Sequence, residues 1–417
     1  VHSSIDPAQA EGASLLVVAE DGAEWVLGRP DLRRYVAVPK PGAVFVQALQ
    51  AGCSLDDATA RASTAAGAPV DGVDFLSGLA QAGLLDPPGQ PSPPDDAPVE
   101  RPTGGRRSRQ IRWIEGVRPE VARRLFGPVA WGGYLSAALL VGVLLGARPD
   151  LRPTFEHAWF LTDPVLSVLV FIPVGFALAA AHEAWHWLAG RAIGIPATFR
   201  VSYRAAYLVF ETDLTQLVAT SRRRRYGPFL AGMAFDVTVL ALALVARLGH
   251  REDLWNLPAV FDRFLGAVVL FEILGIAWQC GGIFLRSDMY AVLANALRCH
   301  NLYRATWLVN KARLWGLDAR EQTELENISP HDRSVARWFG LVYLAGMIAV
   351  FWLLLTFQLR FLLAMGTWVV HNLLTFTLTD LVFWESVAVV AYLIVMFGGP
   401  PALAVRERRL RRAGRLR

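Results

Sequence analysis

The sequence predicts a mainly α-helical, polytopic membrane protein of about six spans, with an N-terminal winged-helix-like α+β domain in the cytosol. Three observations carry that expectation. The chain is 54% hydrophobic and only 18% charged, against about 45–50% and about 25% in soluble globular domains. The apolar residues concentrate after residue 128, in segments long enough to cross a bilayer. Ahead of them lies a short stretch with mixed strand and helix signals, closed by a proline-rich linker. A mean hydropathy of +0.35 excludes a disordered chain and argues against an ordinary soluble enzyme. Three cysteines, Cys53, Cys280 and Cys299, are too few and too scattered for a disulfide framework or a cysteine-type zinc site. The net charge of +5 is almost wholly arginine, with Lys40 and Lys311 the only lysines, which reads as GC-rich coding. Residues 1–10 lack a basic stretch followed by an apolar run, so no secretory signal is expected.

Residues 1–86 read as a small soluble domain. Leu15 to Val18, Trp25 to Leu27, and Tyr35 to Val38 look like short strands, the last stopped by Pro39. Three helical stretches follow. The first runs from about Ala43 to Gln50. The second opens at Ser54, an N-cap with Asp57 three residues on. The third places Val73, Leu76, Leu79 and Ala80 on one face and ends at Gly83. Residues 87–127 form a linker and a basic juxtamembrane segment. The part from 87 to 105 holds seven of the 24 prolines.

Residues 128–417 form the membrane domain. Apolar segments lie near 129–147, 165–190, 228–246, 264–285, 338–358 and 382–404, each close to the roughly 20 residues a span needs. A further stretch, 361–381, contains His371, Asn372 and Asp380 and is ambiguous. Arginines settle the orientation. They crowd the segment from Arg106 to Arg124, the loop from Arg191 to Arg225, the loop 286–337 and the tail 406–417. The loops 148–164 and 247–263 are short and balanced. The positive-inside rule then places both termini in the cytoplasm of a multi-pass cell-membrane protein. An even span count makes 361–381 a re-entrant or interfacial segment. Basic clusters beside spans are topogenic, and no nucleic-acid partner is expected.

One motif carries chemistry. His182-Glu183-Ala184-Trp185-His186 is H-E-x-x-H inside the second apolar segment. Histidines four apart share a helix face and reach one metal ion. Zinc lowers the pKa of a bound water to about 7. Glu183 is placed to take that water's proton and return it to the leaving amine. Ionisable residues within a span are costly and mark a site. Catalytic zinc takes three protein ligands, so a third is needed. Asp288 sits just past the cytoplasmic end of the fourth span, at the depth of the histidines. Asp236, about two turns into the third span, is the competitor, and Glu272 lies deeper. Geometry favours Asp288 while leaving Asp236 within reach.

The motif, followed by Phe284-Leu285-Arg286-Ser287-Asp288-Met289-Tyr290, resembles the site-2 protease class of intramembrane zinc metallopeptidases. It looks closest to the peptide zinc metalloprotease branch. The resemblance covers roughly residues 165–305. It implies one Zn2+ held by His182, His186 and Asp288, with Glu183 as general base. Gly282 and Ile283 stand where that branch has Asn-Pro, and Met289 where it has Gly, which bears on substrate positioning. Residues 199–213 read either as a hairpin at the membrane face, whose edge can pair with a substrate strand, or as an ordinary amphipathic loop. Tyr203, Asp213 and Asp236 are the substrate-binding candidates, and Thr212-Asp213 resembles a pair in the same branch. The head, through Val38-Pro39-Lys40-Pro41-Gly42-Ala43, Ser54-Leu55 and Phe75-Leu76 to Leu84-Leu85, resembles PqqD-like domains. Those modules bind leader peptides of ribosomally made, modified peptides.

The expected function is therefore a membrane zinc metalloprotease that cuts a peptide near the cytoplasmic face, removing the leader from a precursor that the head delivers. The alternatives are regulated intramembrane proteolysis of a transmembrane regulator, and a non-catalytic scaffold or transport partner. The expected partners are a precursor or leader peptide and the lipid bilayer, with a homo-oligomer left open.

Overall fold

The computed structural model describes residues 12–21, 24–29, 34–85, 117–195, 197–204, 207–395 and 409. The chain is mainly helical, with a three-stranded antiparallel sheet near its N-terminus. It divides into two compact units. The first draws on residues 1–109, 193–197 and 213–226, and the second on 110–192, 198–212 and 227–417.

In the first unit the apolar runs become β1 (Val17–Asp21), β2 (Glu24–Arg29) and β3 (Arg34–Pro39), ordered β1-β2-β3. Leu27 of the central strand pairs with Val18 on one side and Val36 on the other. Pro39 has no N–H to extend the ladder. The chain turns there into α1 (Lys40–Gln50). Helix α2 (Leu55–Ala66) opens on Ser54, whose hydroxyl accepts from the Asp57 N–H at 3.1 Å. Helix α3 (Gly72–Gln81) opens on Asp71, which accepts from the Val73 and Asp74 N–H groups at 2.9 and 3.0 Å. Leu27, Phe45, Val46, Leu76 and Leu84 form the core, and Phe45 meets Phe75 edge to face at 5.4 Å. Asp21, buried at the end of β1, pairs with Arg222 and, at 3.1 Å, with Arg225. Two arginines expected as topogenic anchors are therefore held by a carboxylate of their own unit.

In the second unit, α4 (Pro119–Leu125) falls within the segment 87–127 expected as linker. Residues 87–116 of that segment lie outside the described residues. Helix α4 is tied down, with Arg123 Nε donating to the Ala192 carbonyl at 3.3 Å. Then come α5 (Pro128–Ala147), α6 (Pro164–Ala192), a hairpin of β4 (Thr198–Arg204) and β5 (Tyr207–Asp213), and α7 (Arg222–Arg251). Among the described residues, four helices are long and apolar enough to cross a membrane: Pro119–Ala147, Pro164–Ala192, Arg222–Arg251 and Pro330–Thr356. The segment expected to span 264–285 instead forms α8 (Ala259–Gly281), which stops at a glycine pair. A 3-10 turn over Ile283–Leu285 follows, and Arg286 takes a left-handed φ of 60°. After that break the chain resumes as α9 (Asp288–Ala296). Beyond it, α10 (Leu302–Leu314) packs on α12 (Pro330–Leu353) through Leu302, Ala305, Leu308, Ala336 and Phe339, with α11 (Ala319–Asn327) between them in sequence. The ambiguous stretch 361–381 is largely helical, as α13 (Leu359–Thr375), reached through a π turn at Leu354–Gln358. Asp380 then accepts from the Thr377 N–H at 2.7 Å and starts α14 (Leu381–Leu393). The last segment expected to span, 382–404, lies outside the described residues from 396 onward.

A buried polar cluster ties the far ends of α7 and α8. Arg247 is fully buried and donates to Asp262 at 3.1 Å, to the Leu151 carbonyl at 3.4 Å and to His157 Nε2 at 3.1 Å. Arg251 takes the other Asp262 oxygen at 3.0 Å. Gly266 makes room for the imidazole, since a Cβ there would stand 2.0 Å from His157 Cδ2. His157 Nδ1 lies 3.0 Å from the Thr154 hydroxyl, whose oxygen accepts the ring proton. A neutral imidazole accepts at one nitrogen, and a cation at neither. Burial and the Arg247 guanidinium therefore hold His157 below its ordinary value of 6.5. The native state binds fewer protons here than the unfolded chain does. The stability this contributes is complete above about pH 6.5 and falls as the pH drops through the lower, folded value. Thermal unfolding followed from about pH 7.5 to about pH 5 should show a loss that His157→Gln reduces. An equal loss in both proteins would contradict the assignment.

Candidate metal centre

Helix α6 places His182 and His186 on one face, with ring centroids 5.0 Å apart. Each ring is oriented through its Nδ1. His186 Nδ1 lies 2.6 Å from the Pro228 carbonyl of α7. A carbonyl only accepts, so Nδ1 carries the proton and Nε2 presents its lone pair. His182 Nδ1 lies 2.8 and 2.9 Å from the two Asp236 oxygens, again on α7. Both Nε2 atoms therefore face the same side. They are 3.2 Å apart, and Asp288 Oδ2 stands 3.0 Å from one and 3.1 Å from the other.

Asp288 reaches this point because α8 stops short. Ser287 caps α9 and donates to the Gln279 carbonyl at 2.9 Å. The Gln279 amide then closes a two-bond clasp. Its Nε2 donates to Asp288 Oδ2 at 3.1 Å, and its Oε1 accepts from the Asp288 N–H at 3.1 Å.

Three acceptor atoms thus converge, all within 4.8 Å of one another. Their lone pairs repel unless a proton or a cation lies among them. Tetrahedral zinc with bonds of about 2.0–2.2 Å sets its ligand atoms roughly 3.3 Å apart. The 3.0–3.2 Å separations approach that spacing. Nitrogen, nitrogen and carboxylate oxygen suit zinc and other divalent first-row ions. Gly232 of α7 keeps the space open. A Cβ there would stand 2.3 Å from His182 Nε2 and 2.5 Å from His186 Nε2, so any side chain would displace the rings.

Glu183 lies beside the cluster and is fixed from β5. Its Oε2 accepts from the Thr212 N–H at 3.1 Å, and its carbonyl accepts from the Thr212 hydroxyl at 2.8 Å. The structure thus brings together His182, Glu183, His186, Asp236 and Asp288. Asp236, expected as a rival ligand and as a substrate contact, engages the far nitrogen of His182 and orients it. Its place on α7, packed against α6, explains why it meets Nδ1 and not Nε2. Glu272 is buried on α8 and is not one of the three converging ligands. Tyr203 and Asp213 fall on β4 and β5, and their side chains lie outside the described residues. Sequence reasoning missed Gln279, Gly232 and Pro228. It noticed Thr212 only as the neighbour of Asp213.

Losing a group that orients a ligand typically costs about 10–100-fold in metal affinity. Gln279→Leu should weaken zinc binding by about that factor, and Gly232→Val should abolish it. Competition with a chromogenic chelator measures both. Wild-type affinity in either variant would contradict these roles.

Comparison with protein-family models, with curated proteins and with solved structures returns no match, so the side-chain chemistry stands as the ground for assigning a role.

Proposed function

We propose that the chain is a membrane-embedded zinc metallopeptidase that hydrolyses a peptide bond at the level of His182 and His186. One observation carries the reading: two imidazoles and a carboxylate converge through preset lone pairs, with the Glu183 carboxylate held next to them. A site that only binds a metal has no use for that carboxylate.

A bilayer setting is supported by what the helices leave uncovered. Leu144 is the sole buried residue of the twenty in α5, and Leu135, Leu139, Ile348 and Phe351 are each more than 60% exposed. Apolar surface costs about 25 cal/mol per Å² in water, and lipid removes that cost. Helices α8 and α14 join the four longer ones in this reading, giving about six spans. The basic loops and the tail face the cytoplasm.

His182 and His186 would hold the ion through Nε2, and Asp288 through Oδ2. When bound, zinc supplies Lewis acidity to the scissile carbonyl and a lowered pKa to the attacking water. Glu183 accepts the proton from that water and delivers it to the leaving amine. Thr212 holds Glu183 through Oε2 and through its backbone carbonyl, which fixes the carboxylate beside the converging side chains. Asp236 and the Pro228 carbonyl keep both rings in the tautomer that binds metal.

The proposed substrate is a precursor peptide delivered by the head. The sheet order leaves β3 with its one described partner, β2, on one side. An extended leader adds there as a further strand. The tether then raises the local concentration of substrate.

Glu183→Gln should reduce hydrolysis by about 10²–10⁴-fold while zinc content stays at the wild-type level. Mass spectrometry of a peptide library, incubated with the purified protein, reads the new termini. Undiminished cleavage in the variant would contradict the mechanism. A precursor bearing its leader should be cut faster than the leaderless core only while residues 1–86 are present.

A further inference from the structure

A cavity of about 420 Å³ lies between α6 and α8, with Tyr392 of α14 at its side. On α6 its wall is Val168, Phe171, Ile172, Gly175, Phe176 and Ala179. These fall at steps of three and four and so form one stripe. Continued by the same steps, the stripe reaches His182, Glu183 and His186. The cavity and the candidate metal centre therefore share one face of one helix. Ala179 stands one turn before Glu183, a rise of about 6 Å.

The opposite wall points to the same pairing. Phe271 and Leu274 of α8 line the cavity, and the same helix carries Gln279, the clasp on Asp288, in its last turn. Strand β5 makes a third link. Phe210 meets the Phe176 ring at 6.4 Å, and Thr212, two residues on, holds Glu183.

We propose that this cavity is the side-chain subsite next to the scissile bond, and that it takes one large apolar side chain of the peptide, of leucine or phenylalanine type. The proposal rests on the peptidase reading above. It adds a substrate class: peptides with a bulky apolar residue beside the cut. The aromatic rings of Phe171, Phe176 and Phe271 favour such a side chain, while Gly175 and Ala179 leave the space it fills. A Cβ at Gly175 would meet Phe271 at an ordinary 3.5 Å, so a larger residue there extends into the cavity without a clash at its first carbon.

The test uses hydroxamates, which bind zinc through their head group whatever their tail. The zinc-loaded full chain in detergent is titrated with acetohydroxamate and with butanoyl, hexanoyl and octanoyl hydroxamates. The same series is run on Gly175→Leu and Ala179→Leu. In the wild type, affinity should rise by about fourfold per methylene that enters the cavity. In each variant the rise should be lost, with acetohydroxamate unchanged and zinc content retained. Should Gly175→Leu fail to hold zinc, Ala179→Leu, at an exposed position of α6, gives the reading alone. A chain-length gain that persists in the zinc-loaded variants overturns the proposal, because the tail then binds elsewhere. A wild type with no gain overturns it too, and would fit a cavity filled by lipid. Failure of acetohydroxamate to bind at all would mark the loss of the metal reading itself, and of the subsite with it.

Discussion

Two hydrogen bonds to the Nδ1 atoms of His182 and His186 organise the rest of the site. One acceptor is the Pro228 carbonyl, at 2.6 Å. The other is the Asp236 carboxylate, at 2.8 Å. Each bond fixes a tautomer, and each tautomer aims an Nε2 lone pair at Asp288. A ring free to turn would meet an ion at the wrong nitrogen, or present a proton to it. Both acceptors come from α7, which also supplies Gly232 at the point of closest approach. One helix thus orients both imidazoles and keeps the space beside their Nε2 atoms open.

Burying such groups among apolar helices is costly unless each polar atom finds a partner. Here the converging side chains are each held, while Glu272 nearby on α8 is buried with its Oε1 unpartnered. Asp288 is clasped by Gln279, Glu183 by Thr212, and the two rings by α7. A second polar cluster, Arg247 with Asp262 and His157, ties α7 to α8 at their other ends. Helix α7 is therefore held by directional bonds at both ends of its apolar stretch. That limits sliding along its axis, which would carry Pro228 and Asp236 away from the imidazoles together. Between the clusters Leu240, Leu244, Val268 and Val269 pack without directional bonds.

Much of this was legible in the sequence, for identifiable reasons. The i, i+4 spacing of His182 and His186 is a local property of a helix. The head's caps at Ser54 and Asp71 use short-range side-chain bonds, and Ser54 was read directly. Asp288 emerged from topology, because the charge pattern placed it at the depth of the histidines. Other parts rest on contacts that no local pattern records. Gln279 acts across a helix break, and the apolar run gave no warning that α8 would stop at Gly281 rather than near 285. Thr212 is 29 residues from Glu183, and its backbone N–H makes the bond, so residue type carries little signal. Gly232 in an apolar helix reads as a small packing residue until its neighbours are known. Asp236 was noticed for its charge, but only the packing of α7 on α6 decides which nitrogen of His182 it meets.

In the proposed site His182, His186 and Asp288 together hold one divalent ion, with Asp236 outside the ligand set. Zinc content is measured in the detergent-purified full chain after zinc supply and removal of excess, beside His186→Ala, Asp288→Ala and Asp236→Ala. About one zinc per chain is expected in the wild type. That zinc should be lost in His186→Ala and Asp288→Ala, and retained with weaker affinity in Asp236→Ala. Absence of stoichiometric zinc in the wild type would contradict this ligand set. So would a pattern in which Asp236→Ala loses the ion and Asp288→Ala keeps it.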